Sequence, residues 1–301
     1  MEAAPHKEEI YMRIRRRPAV IALLAAALGL AFAMTANAII PKGTGGKCSP
    51  GSSTDNKSCV NFQGLPNTGL STTTRKAGSI EVRTSTDYAH PADKAHGGFA
   101  KKVTVNFDSD FAVNAAAIGK TCSQAQVAGK NPQQAMAACG PTGTNNAWIF
   151  PSTSTSFNGV ASATGGLLGC TLVFNGPKTS TGNPTITLYA RIWTTNFLGC
   201  GNPKTTTDPG TTTVLKGVLT NGTAPFGKKL TVDNIDALPL ALNDFDAKVK
   251  RSNYISLKCS GHNGTISGSK YWKMRVNWVY SGGSTNGQPA DTANATQNCS
   301  N

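Results

Sequence analysis

Beyond residue 38 the chain contains one glutamate, Glu81. Long helices draw on glutamate, lysine and leucine for their outer faces, so a chain this poor in glutamate is steered toward strands. Charged residues make up 15% of the sequence, against about 25% in ordinary soluble domains. Serine, threonine, asparagine and glycine take their place on the surface.

The alternation that strands require is present. Trp272, Met274, Val276, Trp278 and Tyr280 fall on one face of a strand, with Lys273, Arg275 and Asn277 on the other. Ile80, Val82 and Thr84 alternate with Glu81 and Arg83, and Val103, Val105 and Phe107 with Lys102, Thr104 and Asn106. Further strands are expected near 147–150, 168–174, 185–193, 214–220, 229–235, 245–250 and 254–259, separated by Gly, Pro and Asn turn signals. Pro132 and Gly140 bracket one short helix. Roughly ten short strands, each apolar on one face, predict an all-β antiparallel sandwich. It is expected over 77–280, after an irregular, disulfide-pinned arm at 39–76 and before a tethered tail at 281–301.

The N-terminus reads as an export signal. Met12-Arg13-Ile14-Arg15-Arg16-Arg17 is basic, the segment Ala19 to Met34 carries no charge, and Ala36-Asn37-Ala38 ends it with small residues. Cleavage is expected after Ala38, with Met12 the more natural initiator. The apolar core is shorter than the ~20 residues that cross a bilayer comfortably. An uncleaved anchor is the alternative; otherwise the mature chain does not span a membrane. Taking five basic and three acidic residues of this segment from a formal charge of +14 leaves +12. That charge is spread along the chain. It serves solubility or attraction to anionic polymers such as those of a bacterial wall. No nucleic-acid motif accompanies it.

All eight cysteines, Cys48, Cys59, Cys122, Cys139, Cys170, Cys200, Cys259 and Cys299, lie beyond Ala38. An even number in an exported chain implies disulfides. Nearest-neighbour pairing, 48–59, 122–139, 170–200 and 259–299, closes the shortest loops. None has the spacing of a zinc or redox site.

The order of features is familiar. A strand pair at 78–85 and 101–107 is followed by Phe111-Ala112-Val113-Asn114 and by Cys122-Ser123-Gln124-Ala125 with a second cysteine seventeen residues after Cys122. Leu172 to Gly176, Ile186 to Arg191, Pro225 to Leu230, Leu238-Pro239, Tyr254-Ile255 and a closing aromatic strand complete it. This resembles uncharacterised secreted β-rich proteins of actinobacterial type, over about residues 75 to 280. The resemblance implies export and an all-β fold, and no activity.

Candidate sites are few. Leu65-Pro66-Asn67-Thr68-Gly69 spells a sortase motif and Leu167-Leu168-Gly169-Cys170 a lipobox, both far from where such signals act. His90, Asp93 and His96 have loose ligand spacing without a fourth donor. Asp108, Asp110, Asp233 and Asp236 suit strand-end turns better than a Ca²⁺ loop, since the twelfth position from Asp108 is Gly119. His262 sits in a turn and is expected to be structural. There is no G-x-S-x-G elbow. Asp244 and Asp246 share a strand face and do not flank a substrate. No catalytic, metal-binding or cofactor-binding residue is assigned. Trp272 and Trp278 belong to the core; Trp148 and Trp193 remain as aromatics for a sugar platform, Trp193 the better placed. Asn56, Asn221, Asn263, Asn294 and Asn298 head glycosylation sequons. The expected role is a non-catalytic extracellular or envelope-associated module. A carbohydrate- or wall-polymer-binding domain is the first alternative, and a secreted hydrolase the second.

Overall fold

The computed structural model describes residues 59–85, 100–140, 147, 149, 156–162, 165–192, 210–237, 241–249, 253–280 and 290–301. Among them are fourteen strands, and every ladder is antiparallel. They are β1 (Cys59–Leu65), β2 (Lys76–Ser85), β3 (Ala100–Asp108), β4 (Phe111–Val113), β5 (Ser156–Ser162), β6 (Gly165–Gly176), β7 (Thr185–Ile192), β8 (Thr211–Asn221), β9 (Phe226–Asp233), β10 (Ala241–Val249), β11 (Ile255–Leu257), β12 (Thr265–Ile266), β13 (Ser269–Tyr280) and β14 (Ala290–Asn298). Two short helices, α1 (Gln124–Val127) and α2 (Pro132–Ala138), lie between β4 and β5.

The ladders form one unbroken run, β14-β13-β3-β9-β8-β7-β6-β5-β10-β2-β1. It doubles back on itself, so that inward residues of β2, β3, β6, β7, β8, β9 and β10 line a common interior. This is the antiparallel sandwich that the alternation predicts. The face expected on β13 is the core face: Trp272, Met274, Val276 and Trp278 are fully buried. Phe111 links that face to β1. Its ring centroid lies 5.0 Å from that of Trp272 and 6.1 Å from that of Phe62, spacings at which aromatic pairs add to plain area burial.

A second core sits on the outer face of β6 and β7. Val173, Ile186 and Ala190 point to the interior, while Leu172, Phe174 and Tyr189 point the other way, onto the α1–α2 hairpin. The Cys122–Cys139 disulfide staples that hairpin. Asn131 caps α2 by accepting from Gln134 N–H at 2.9 Å, and Gln134 Oε1 accepts from Asn131 N–H in return. Pro132 is the first helical residue and Gly140, at φ +115°, follows its end. Thr187 Oγ1 donates to Cys122 O at 2.6 Å and Tyr189 Oη to Lys130 O at 2.7 Å, tying the hairpin to β7.

The structure corrects several expectations. The stretch 39–76 is not wholly irregular: β1 pairs with β2 along its full length, because Val60 and Phe62 supply two buried inward side chains. The tail is not merely tethered. β14 pairs with β13 from Ala290 to Asn298, and its inward residues are small or amide-bearing, Ala295 and Gln297. Among the described residues, strands thus run from Cys59 to Asn298, with more strands than expected and two helices in place of one. Of the expected strand at 147–150 only Ala147 and Ile149 are described, each bonded to β6. The 259–299 bridge is present, with Cα atoms 5.9 Å apart. The expected β6–β7 hairpin is present too, pairing Cys170 with Arg191. Cys48 and Cys200, and hence the 48–59 and 170–200 pairings, lie outside the described residues, as does the signal segment with Ala38.

β1 and β14 run alongside each other without a ladder. Buried Gln297 spans the gap: its Oε1 accepts from Gly64 N–H at 2.6 Å, and its Nε2 donates to Gly64 O at 3.1 Å. Gly64 suits the seam because a Cβ there would lie 2.8 Å from the Trp272 ring. Gln297→Leu keeps the volume but leaves the Gly64 N–H and C=O unpaired. It should cost about 1–3 kcal/mol, read as a lower urea midpoint at unchanged slope.

Candidate functional site

Among the described residues, one group of His and acidic side chains converges: Asp108, Asp110 and His262, whose ligand atoms lie within 4.8 Å of one another. Asp108 ends β3, Asp110 precedes β4, and His262 comes from the loop between β11 and β12. That loop turns sharply, with Gly261 and Gly264 both at positive φ where a side chain would be strained.

The two carboxylates are almost fully engaged. Asp108 is completely buried. Its Oδ1 accepts from Asp110 N–H at 2.9 Å; its Oδ2 accepts from Lys273 N–H at 2.8 Å and Asn263 Nδ2 at 2.6 Å. Asp110 Oδ2 accepts from Ser260 N–H at 2.8 Å, and its Oδ1 from Ser260 Oγ at 2.8 Å. Lys258 Nζ stands 3.9 Å from Asp110 Oδ1. Three chain segments are thereby fastened together: the β3–β4 turn, the β11–β12 loop and β13.

His262 lies over both acids. Its Nε2 is 3.1 Å from Ser109 Oγ and 3.3 Å from Asp108 Oδ1; its Nδ1 is 2.9 Å from Ser260 Oγ and 3.6 Å from Asp110 Oδ1. Serine, imidazole and carboxylate are therefore in contact, but not as a nucleophilic relay. In such a relay Nε2 takes the serine proton while the acid holds Nδ1. Here a carboxylate faces Nε2 as well and competes with Ser109 for it. Two carboxylates and an imidazole are also a donor set zinc accepts, and most of their acceptor positions already face protein N–H and O–H groups. The arrangement works as a fastener.

Sequence reasoning took Asp108 with Asp110 and treated His262 apart, since some 150 residues separate the acids from the histidine. Asp233 and Asp236 do not join them either. Asp233 pairs across from Lys102, at the far end of β3 from Asp108, and six residues of strand span about 20 Å. The core reading holds for Trp272 and Trp278. His90, Asp93, His96, Trp148 and Trp193 lie outside the described residues, and Asp244 and Asp246 fall on β10, opposite Ser85 and Arg83 of β2. Asn263 Nδ2, the atom a glycan would occupy, donates to Asp108 and to Tyr271 O, which closes that sequon. Asn221, Asn294 and Asn298 are exposed.

The interior holds a cavity of about 150 Å³. Its walls are apolar except for Thr84 and Thr171. No helix among the described residues is long and apolar enough to cross a membrane. No protein family, curated protein or solved structure matches the chain.

Burial raises the Asp108 carboxyl above the usual value of 3.8, against the opposing pull of its hydrogen bonds and His262. The folded state then holds this proton to a higher pH than the unfolded chain does. Its contribution is full below the unfolded value and declines as pH rises through the folded one. Asp108→Asn removes this slope. Urea midpoints from pH 4 to 7 should therefore shift in the variant's favour relative to wild type as pH rises; a constant difference would contradict the assignment.

Proposed function

We propose that the protein is an exported, non-catalytic module that works outside the cytoplasm, in the extracellular space or at the cell envelope. The observation that carries this reading is the pair of disulfides. One, 122–139, staples two helices of one and two turns, and the other, 259–299, joins the β11–β12 loop to the end of β14. Such bonds persist in oxidising compartments and are rare in the cytosol. The basic, uncharged and small-residue pattern ending at Ala38 supplies a route there. The resemblance of its feature order to secreted β-rich proteins of actinobacterial type supports the same reading.

The non-catalytic part rests on the engaged state of the Asp108–Asp110–His262 group. A general base needs a free lone pair facing substrate, whereas most acceptor positions of Asp108 and Asp110 face backbone N–H groups, Ser260 and Asn263.

Expression of the full chain in an exporting bacterium tests the proposal. The protein outside the cytoplasm should begin at Ile39, shorter by the first 38 residues, with Cys122–Cys139 and Cys259–Cys299 peptides linked in a non-reduced digest. Full-length protein retained in the cytoplasm with free thiols would overturn it.

A further inference from the structure

Interior packing is uneven. On β13 the inward side chains are fully buried. On the neighbouring β3, Val105 and Phe107 are only half-buried, and so is Leu188 on β7; all three line the cavity. Protein interiors normally close to crystal-like density, so side chains from seven strands meeting around a void depart locally from that density.

Water is a poor occupant. A buried water needs two to four polar partners, and the walls offer two threonines. The hydroxyl of Thr171, itself 2% exposed, has no hydrogen-bond partner. No charged side chain lines the space, which excludes a ligand that buries a carboxylate, phosphate or ammonium there. Ala190 on β7 contributes room by being small. An apolar cavity of about 150 Å³ in another protein stays dry and takes up benzene, so the volume here is enough for one ring.

We propose that this cavity is a binding site for an uncharged apolar small molecule about one aromatic ring in size. The inward faces of β2, β3, β6, β7, β8, β9 and β10 supply a preformed wall. Binding fills space that the core leaves open, and the rest of the sheet need not move.

The test uses the full chain with its disulfides intact and benzene as probe. At about ten times its Kd, benzene should raise Tm by about 3 °C. Ala190→Leu, which fills the space, should abolish the rise, and Val105→Phe repeats the test from another wall should the first variant not fold. Methyl NMR of the wild type gives a reading independent of either variant: shifts should be confined to wall residues such as Val82, Val105 and Leu188. No rise in Tm in the wild type, an equal rise in a filled variant, or methyl shifts located elsewhere would each overturn the proposal.

Discussion

One side-chain amide closes this domain. The run of strands ends at β1 and β14, and each would otherwise present unpaired backbone groups along the seam, the liability of any sheet edge. Gln297 answers the N–H and the C=O of Gly64 together, doing for one residue what a further strand would do. Around it the chain end is fixed by backbone bonds, Ser300 N–H to Asn67 O, Leu70 N–H to Ser300 O and Cys259 N–H to Ser71 O. The Cys259–Cys299 disulfide joins the two regions covalently. Because Gln297, Cys299 and Ser300 hold the seam, β1 is docked there only when β14 is in place.

The same logic recurs at Asp108 and Asp110. A buried carboxylate is costly unless its lone pairs are used, and these two gather backbone N–H groups from three segments. The cost is offset in part, and the β3–β4, β11–β12 and β13 segments are held together. Polar groups therefore do the fastening at the rim of this fold, while the apolar faces fill the middle and leave a void among β2, β3 and β6 to β10.

What the sequence disclosed follows from these roles. β13 was legible because its inward residues are large and strictly alternating. So was α2, with Asn131, Pro132 and Gly140 marking its ends. The 122–139 and 259–299 bridges followed from the shortest-loop rule. β14 was not legible: Ala293, Ala295 and Gln297 give no hydrophobic period, and only the partner strand makes them a strand. β1 was hidden for a related reason, two apolar side chains in a stretch dominated by Gly, Ser and Lys. The meeting of His262 with Asp108 and Asp110 depends on strand pairing across some 150 residues, which no local pattern encodes. A cavity is invisible for a simpler reason, since every wall residue reads as ordinary core.

Closure of the seam by Gln297 is the claim on which the architecture rests, and amide hydrogen exchange at Gly64 tests it most directly. The Gly64 N–H points away from β2, where no backbone partner waits for it, so only the Gln297 oxygen protects it. In the oxidised protein it should exchange as slowly as the amides of β13, and reduction of the Cys259–Cys299 bond should speed its exchange well before that of β7 or β8. Exchange at Gly64 as fast as in an open loop, with β13 still protected, would contradict the account.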